Sequence, residues 1–350
     1  MVWTRPVKQT QPLLIVTGPT ASGKSELAVF LARKLQGEVI NIDSMQIYDR
    51  ISIGSARISE DQMQGVRHHL FGYLEPGMSS NVSEYCELAD QAIKDCFNRR
   101  VQPIFAGGTS MYITALLHGL ADMPEANKQL RSALEKLPSD TLYEKLKKID
   151  PVSASRLHVN DRLRIIRALE ISMTSGKPAS DVHNSHSFSG LRYRALILVL
   201  CHDRTVLYER INNRSNRMVE TGIIDETEML LNEYGAEAPP LKALGYAQTL
   251  KYIRGDITKE ELIESIAMYT RRFAKRQMTF WRNEPCKRDW LTIEPDDNEG
   301  CRECEGFEVF ALRASKLLSL CRSYFKNVGS NVGVLYLDAA RLMDQSALNM

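Results

Sequence analysis

The chain lacks any apolar run approaching the ~20 residues that a membrane-spanning helix needs, so no membrane association is expected. A secretory leader is not expected either: Met1 to Gln11 is polar, contains Pro6 and has no apolar segment. The basic residues there, without acids, leave an organellar-targeting reading open beside the cytoplasmic one. Charge of one sign is also missing, since 45 Lys and Arg against 43 Asp and Glu give a formal net charge of +2. So small an excess does not by itself call for a nucleic-acid partner, and any polyanion surface must come from clustering. A disulfide framework is not expected either. The seven cysteines, at 86, 96, 201, 286, 301, 304 and 321, form an odd, scattered set that predicts reduced thiols rather than a disulfide framework. There is no internal repeat and no low-complexity tract.

What remains is 350 residues of ordinary globular composition, 43% hydrophobic and 25% charged, enough for one large domain with an insertion. Buried-strand candidates are Leu13 to Thr17, Glu38 to Asp43, Gln102 to Ala106 and Ala195 to Leu200. The stretch Ser25 to Gln36 has helical spacing. Short apolar strands alternating with helices predict an α/β fold with a parallel sheet covered on both faces. Between about Leu116 and Tyr193 amphipathic helix patterns replace strands, punctuated by Pro124, Pro138, Pro151 and Pro178. The expected organisation is a core from 1–115 and 194–290, a mostly helical insertion over 116–193, and a C-terminal extension of unknown role over 291–350. In that extension Phe307, Phe310, Ala314, Leu317, Leu318 and Cys321 predict one amphipathic helix, and the last twenty residues are expected to be poorly ordered.

Gly18-Pro-Thr-Ala-Ser-Gly-Lys-Ser25 fits G-x-x-x-x-G-K-[ST], after a strand and before a helix. Glycines let such a loop wrap an anion while the helix N-terminus aims free N–H groups at it. Lys24 adds a point charge, and Ser25 offers its hydroxyl to a magnesium ion (Mg2+). Most such loops bind ATP or GTP, which makes a P-loop small-molecule kinase the natural first reading. Asp43, at the end of the second strand, then reads as a magnesium-side carboxylate. The polar cluster Ser44-Met-Gln-Ile-Tyr48 directly after it suggests instead a surface facing substrate.

Further blocks carry more. Asp43-Ser-Met-Gln-Ile-Tyr48, Gly54-Ser-Ala-Arg57, His68-His-Leu70, Gly107-Gly-Thr-Ser-Met-Tyr112, Asn160 to Glu170, Leu244-Gly-Tyr246 and Thr270 to Arg282 follow the phosphate loop in order. Together these blocks resemble the tRNA dimethylallyltransferase (tRNA isopentenyltransferase) family, in its bacterial-type form. The resemblance implies a P-loop NTPase-like parallel sheet flanked by helices, with a helical insertion. It implies transfer of a dimethylallyl group from dimethylallyl pyrophosphate to N6 of adenosine 37, in the anticodon arm of tRNA. By resemblance Asp43 is the general base, Thr109 donates to the leaving group, and Gly18, Pro19, Thr20, Ala21, Ser22, Gly23, Lys24, Ser25 and Arg214 hold pyrophosphate with Mg2+. Arg217, one turn from Arg214, competes for that role. Ser44, Met45 and Gln46 face the adenosine with Asp43 and Thr109, and Leu163, Arg164, Ile165, Ile166 and Arg167 contact tRNA.

A second basic surface follows from spacing. Arg271, Arg272, Lys275, Arg276 and Arg282 fall within an arc of about 140° on a helix, opposite Ala274, Met278 and Trp281. Such a stripe, with Arg271, Lys275 and Arg282 as its chosen contacts, suits RNA phosphates. His68-His69 raises a metal, but adjacent histidines without further ligands favour a structural or RNA-contact role. Cys301-Arg-Glu-Cys304 has metal-type spacing without a second pair, so no zinc finger is expected. A monomer is expected. The alternatives are an adenylate isopentenyltransferase making a cytokinin, the P-loop kinase, and a non-catalytic RNA-binding protein, which the intact Lys24, Asp43 and Thr109 oppose.

Overall fold

The computed structural model describes residues 12–120, 123–124, 127–186, 191–287, 291–292, 301–304, 307–310, 314–326 and 332–338. The described residues divide into two compact units, the larger from 12–117 with 193–338 and the smaller from His118–Arg192.

The larger unit begins with β1 (Leu13–Thr17), α1 (Lys24–Leu35), β2 (Gly37–Asn41), α2 (Glu60–Met63), β3 (His68–His69), α3 (Val82–Asn98), β4 (Gln102–Ala106) and α4 (Ser110–His118). The smaller unit follows with α5 (Lys128–Glu135), α6 (Ser139–Ile149), α7 (Pro151–Arg156), α8 (Arg162–Ser175) and α9 (Ala179–His186). The chain then returns to the larger unit through β5 (Ala195–Cys201), α10 (Arg204–Glu220), α11 (Ile223–Tyr234), a 3-10 turn (Pro239–Lys242), α12 (Tyr246–Ile253) and α13 (Lys259–Lys287). Last come β6 (Leu291–Thr292), β7 (Cys301–Cys304), β8 (Phe307–Phe310), α14 (Ala314–Lys326) and β9 (Gly333–Asp338).

These strands form a nine-stranded sheet in the order β3-β2-β4-β1-β5-β9-β8-β7, with β6 beside β9. Every pairing except β7 with β8 is parallel. Parallel strands covered on both faces read as unbroken apolar runs, and Leu-Leu-Ile-Val-Thr of β1 is buried throughout. Successive side chains alternate faces. Leu14 and Val16 join Leu196, Leu198, Leu200, Leu335 and Leu337 against α1 and against Leu317 and Cys321 of α14. Cys86, Cys96, Cys201 and Cys321 are buried. Among the described residues no helix is long and apolar enough to cross a membrane.

The segment after Trp290 departs from its sequence-based expectation. It adds β9 along β5, from Leu196↔Gly333 to Cys201↔Asp338, and so extends the sheet beyond the strands foreseen. Tyr336 Oη donates to the Trp281 carbonyl at 3.0 Å, and Tyr324 Oη to the Ala195 carbonyl at 3.1 Å. The single helix expected from Phe307 onward is instead strand β8 followed by α14, which starts at Ala314. In Phe-Glu-Val-Phe the i,i+2 spacing of Phe307 and Val309 about Glu308 suits a strand, and the i,i+3 pair of phenylalanines imitates a helical period only by coincidence. The last twenty residues lie outside the described residues apart from β9 and its lead-in residue Val332.

In the smaller unit Leu142, Leu146, Ile165, Ile166 and Leu169 form an apolar core. Two buried carboxylates are fully answered there. Glu170 accepts from Asn127 N at 2.8 Å and pairs with Arg131 and Arg167 at 2.7 Å each. Asp150 caps α7 through Ser153 N at 2.9 Å and holds α9 through Ser180 N at 2.8 Å and Ser180 Oγ at 2.7 Å.

Leu335 is fully buried in the added strand. Leu335→Ala is expected to lower the unfolding free energy by about 2–5 kcal/mol in chemical denaturation. A change below about 0.5 kcal/mol would mean that β9 is not part of the cooperative core.

Candidate active site

The site is assembled at the carboxyl ends of neighbouring parallel strands, where α/β proteins bind ligands. After β1 the chain turns tightly: Gly18 has φ 135° and Gly23 φ 92°, conformations that side chains disfavour. A Cβ on Gly18 would also stand 2.6 Å from the Leu200 carbonyl oxygen, so glycine lets the loop lie against β5. Lys24 Nζ donates to the Pro19 carbonyl at 2.8 Å, closing the loop over the N-terminus of α1. Removal from water pushes the Lys24 ammonium down to about 8, with the Asp43 charge opposing and that of Arg214 reinforcing the shift. Burial lowers the pKa of Arg214 likewise, against the pull of Asp43 and Glu26. Thr17 Oγ1 and Ser22 Oγ are buried with no hydrogen-bond partner among the described residues. Half-buried cations and orphaned hydroxyls around one loop make a cradle for an anion.

Arg214, on α10, reaches the loop and donates to Thr20 Oγ1 at 3.3 Å, whereas Arg217 is exposed. Arg210, a turn earlier, donates to the Ala21 carbonyl at 2.8 Å. The loop is thus bracketed from α10 as well as from its own helix.

Opposite lies the turn after β2. Asp43 Oδ1 accepts the Met45 N–H at 2.9 Å, and Oδ2 has no hydrogen-bond partner among the described residues. Asn41 shapes this turn, accepting from Asp43 N and donating to the Asp43 and Leu70 carbonyls, each at 3.0 Å. The next strand end, after β4, brings Gly107 so close that a Cβ there would meet the Ile42 backbone at 2.5 Å. Thr109 consequently sits beside Ser44. Its Oγ1 accepts the Ser44 N–H at 2.9 Å and donates to Ser44 Oγ at 3.3 Å. Lys24, Arg214, Asp43, Ser44 and Thr109 therefore share one site within the larger unit.

Gln46 is more constrained than its type suggests. Its amide donates to the Ser55 and Ala56 carbonyls at 3.1 and 3.4 Å, leaving Oε1 as its remaining acceptor. The loop it grips is held by residues that residue-type arguments passed over. Glu226 of α11 accepts from Ser52 N at 2.8 Å, Ile53 N and Gly54 N at 2.9 Å, and Tyr246 Oη at 2.6 Å. A Cβ on Gly54 would strike the Tyr246 ring at 2.4 Å, which explains the glycine of the Gly54-Ser-Ala-Arg57 block. Gln277, also unforeseen, joins the Thr20 N–H to the Gly108 carbonyl. Its position within the Thr270 to Arg282 block was the only signal for it.

The basic helix α13 docks through Ala274, Met278 and Trp281, all buried. Of the expected contacts, Lys275 and Arg282 are exposed, with Arg272 and Arg276 beside them. Arg271 is engaged otherwise, donating to Asn212 Oδ1 and pairing with Glu264, both at 2.6 Å. In the smaller unit Leu163 is 81% exposed, and Arg164 is open to solvent beside Asp161. Ile165 and Ile166 are core residues and Arg167 is paired with Glu170, so their side chains are committed inward. On β3, His68 Nδ1 contacts the Val66 carbonyl at 2.8 Å and His69 Nε2 contacts Glu38 at 2.6 Å. Glu38, His69 and Cys96 lie close enough to suggest a metal. Arg99, however, occupies both Glu38 oxygens at 2.6 Å and holds that carboxyl at about 2, with His69 assisting. The cluster is an ion-pair network tying β2 to α3.

Fold and site together define a P-loop α/β protein with a carboxylate facing an anion cradle. A family model described as IPP transferase matches residues 46–284, and one described as Isopentenyl transferase matches residues 11–78. A tRNA dimethylallyltransferase 1 from Citrifermentans bemidjiense is 41% identical over 273 residues, covering 78% of this chain and 89% of that one. The tRNA dimethylallyltransferase of Geobacter sulfurreducens is 40% identical over 278 residues, covering 78% and 89%. The solved full-length tRNA isopentenylpyrophosphate transferase from Bacillus halodurans superposes with a TM-score of 0.58 at 37% identity, over 78% of this chain and 87% of that one. A eukaryotic dimethylallyltransferase acting on tRNA gives a TM-score of 0.68 at 29% identity, over 77% and 69%. The chain belongs to the IPP transferase family.

Because Lys24 loses its charge near pH 8, it attracts an anion fully below that pH and progressively less above it. Between pH 7 and 9 the affinity for inorganic pyrophosphate is expected to fall by up to about tenfold relative to Lys24→Met, which shares the ligand's own titration. Titration calorimetry at both pH values measures this, and equal affinities for Lys24→Met and the parent would remove the lysine from the cradle.

Proposed function

We propose that this enzyme transfers the dimethylallyl group of dimethylallyl pyrophosphate to the exocyclic N6 of adenosine 37, next to the anticodon of tRNA, and releases pyrophosphate. The observation that carries this reading is the Asp43 carboxylate, with Oδ2 unengaged among the described residues, close enough for its charge to act on the half-buried Lys24 and Arg214. Such an arrangement takes a neutral amine on one side and a leaving polyanion on the other. Membership of the family and its tRNA-modifying relatives support the substrates.

In the proposed reaction the N6 lone pair forms a bond to C1 of the dimethylallyl group while the C1–O bond breaks. That electron pair departs with pyrophosphate. An allylic carbon tolerates positive charge, so the protein's main tasks are to stabilise the departing anion and to aim the amine. Asp43 Oδ2 accepts the amine proton as general base, its other oxygen being fixed by the Met45 N–H. Lys24 and Arg214 balance the charge on pyrophosphate. Thr109, whose proton is directed at Ser44 Oγ, turns that hydrogen bond onto the bridging oxygen. Gln46 keeps Oε1 as an acceptor for an adenine N–H, because its donors are used.

Ser25, on the first turn of α1, makes no side-chain hydrogen bond among the described residues. One hydroxyl is too few ligands for Mg2+ alone, but it would suit an ion arriving with phosphate oxygens and waters. When bound, Mg2+ supplies charge neutralisation at the pyrophosphate.

For tRNA, the exposed cations Arg272, Lys275, Arg276 and Arg282 of α13 offer phosphate contacts, and Arg271 contributes by holding α13 to α10. In the smaller unit Leu163 and Arg164 present the surface. The target base leaves its stack to reach Asp43. A monomer in the cytoplasm is the form we propose.

Purified protein, labelled dimethylallyl pyrophosphate and magnesium, offered unmodified tRNA or AMP, tests the reading. Label at the adenosine beside the anticodon is expected; label only in AMP would make the enzyme a cytokinin-forming adenylate isopentenyltransferase. Asp43→Ala is expected to lose roughly 10²–10⁴ in turnover while still binding tRNA in a filter assay. Undiminished turnover would sink the general-base role. Replacing Arg272, Lys275 and Arg276 together is expected to weaken tRNA binding and flatten its dependence on salt. An unchanged salt slope would move the RNA footprint off this helix.

A further inference from the structure

We propose that Gln277 is a positioning residue for the transfer reaction, setting the spacing between the phosphate loop and the Gly108–Thr109 turn. This rests on the reading that the loop holds pyrophosphate and that Thr109 addresses its bridging oxygen. Gln277 is 6% exposed on α13, between loops that follow two different strands, β1 and β4. Its Oε1 accepts the Thr20 N–H at 2.8 Å and its Nε2 donates to the Gly108 carbonyl at 3.0 Å. The orientation of the amide is unambiguous, because a backbone N–H can only donate and a carbonyl can only accept.

Each partner leads directly to a reacting region. Thr20 Oγ1 accepts from Arg214, and Gly108 precedes Thr109. A Cβ on Gly108 would lie 2.3 Å from Gln277 Nε2, so a larger residue there would push the amide out of this bond. One side chain therefore holds the anion cradle and the leaving-group donor at a fixed separation. Misplacement of reacting groups by about 1 Å is enough to cost on the order of 100-fold in rate. On the same helix the adjacent Lys275 and Arg276 are exposed, so the residue that sets this spacing is carried by the helix proposed to meet RNA.

The test uses the full chain. Gln277→Met keeps length and burial but neither hydrogen bond, and Gly108→Ala forces the amide aside. For Gln277→Met we expect kcat to fall by roughly 10- to 100-fold, with the KM for tRNA changed by less than about twofold. Inorganic pyrophosphate should bind roughly tenfold less tightly. The double variant should be no worse than Gln277→Met, since both changes break the same contact. Parental kcat and pyrophosphate affinity in Gln277→Met, or losses that multiply in the double variant, would overturn the proposal. Melting curves check folding. Should Gln277→Met not fold, Gln277→Glu, which keeps the acceptor for Thr20 but turns an oxygen toward the Gly108 carbonyl, must show the same split. If the parent transfers no label to tRNA, the functional reading fails by itself, and the pyrophosphate titration still decides the role of Gln277.

Discussion

Two cations, Lys24 and Arg214, are drawn out of water at one end of a parallel sheet, and burial lowers the pKa of each. The opposing charges of Asp43 and Glu26 soften that cost without forming an ion pair with either cation among the described residues. A site left in this condition attracts an anion, and on the proposed reading an arriving pyrophosphate would offset the desolvation that folding imposed there. The surrounding architecture keeps the cations from relaxing into solvent. Lys24 is tied to its own loop by the Pro19 carbonyl, and Arg214 is tied to Thr20 from another helix. Close approach of the strand ends, permitted by Gly18 and Gly107, brings the carboxylate and the threonine alongside.

Buried anions are handled differently. Glu226 has no cationic partner among the described residues; it is answered by the backbone N–H groups of Ser52, Ile53 and Gly54 and by Tyr246. Successive N–H groups around a carboxylate form a nest, which satisfies charge without introducing a cation that would compete with the active site. The same loop gives its Ser55 and Ala56 carbonyls to Gln46, three residues beyond Asp43. Placement of the polar turn after β2 thus depends on a glutamate from a helix far along the chain. Glu170 and Asp150 show the alternative in the smaller unit, one paired with arginines and the other satisfied by serine and backbone donors.

Much of this was legible in the sequence. The phosphate loop, its flanking strand and helix, and the strands at 102–106 and 195–200 follow from local patterns that burial on both faces of a parallel sheet imposes. The docking face of α13 was readable too, because a helix must alternate its faces every few residues. Other features were not. Arg271 looks like its neighbours by spacing, and only the position of Asn212 and Glu264 commits it to a structural bond. Phe307 to Phe310 fits two periodicities at once, and pairing with β9 decides for the strand. The run Leu163 to Arg167 alternates basic and apolar residues, yet burial divides it into exposed Leu163 and Arg164, core Ile165 and Ile166, and a paired Arg167.

By itself the sequence determined the features whose geometry is local: a glycine-rich loop between strand and helix, a lysine at a helix start, a carboxylate and a threonine at strand ends. Those depend on short-range backbone geometry, which neighbouring residues specify. Tertiary structure alone decided which distant side chains complete the site. Arg214 rather than Arg217 faces the loop because of the rotation of α10, and Gln277 meets Thr20 and Gly108 across separations of 257 and 169 residues. Residues so far apart share no local signal. Their meeting is set by sheet order and helix packing, which arise from the summed burial of the whole core.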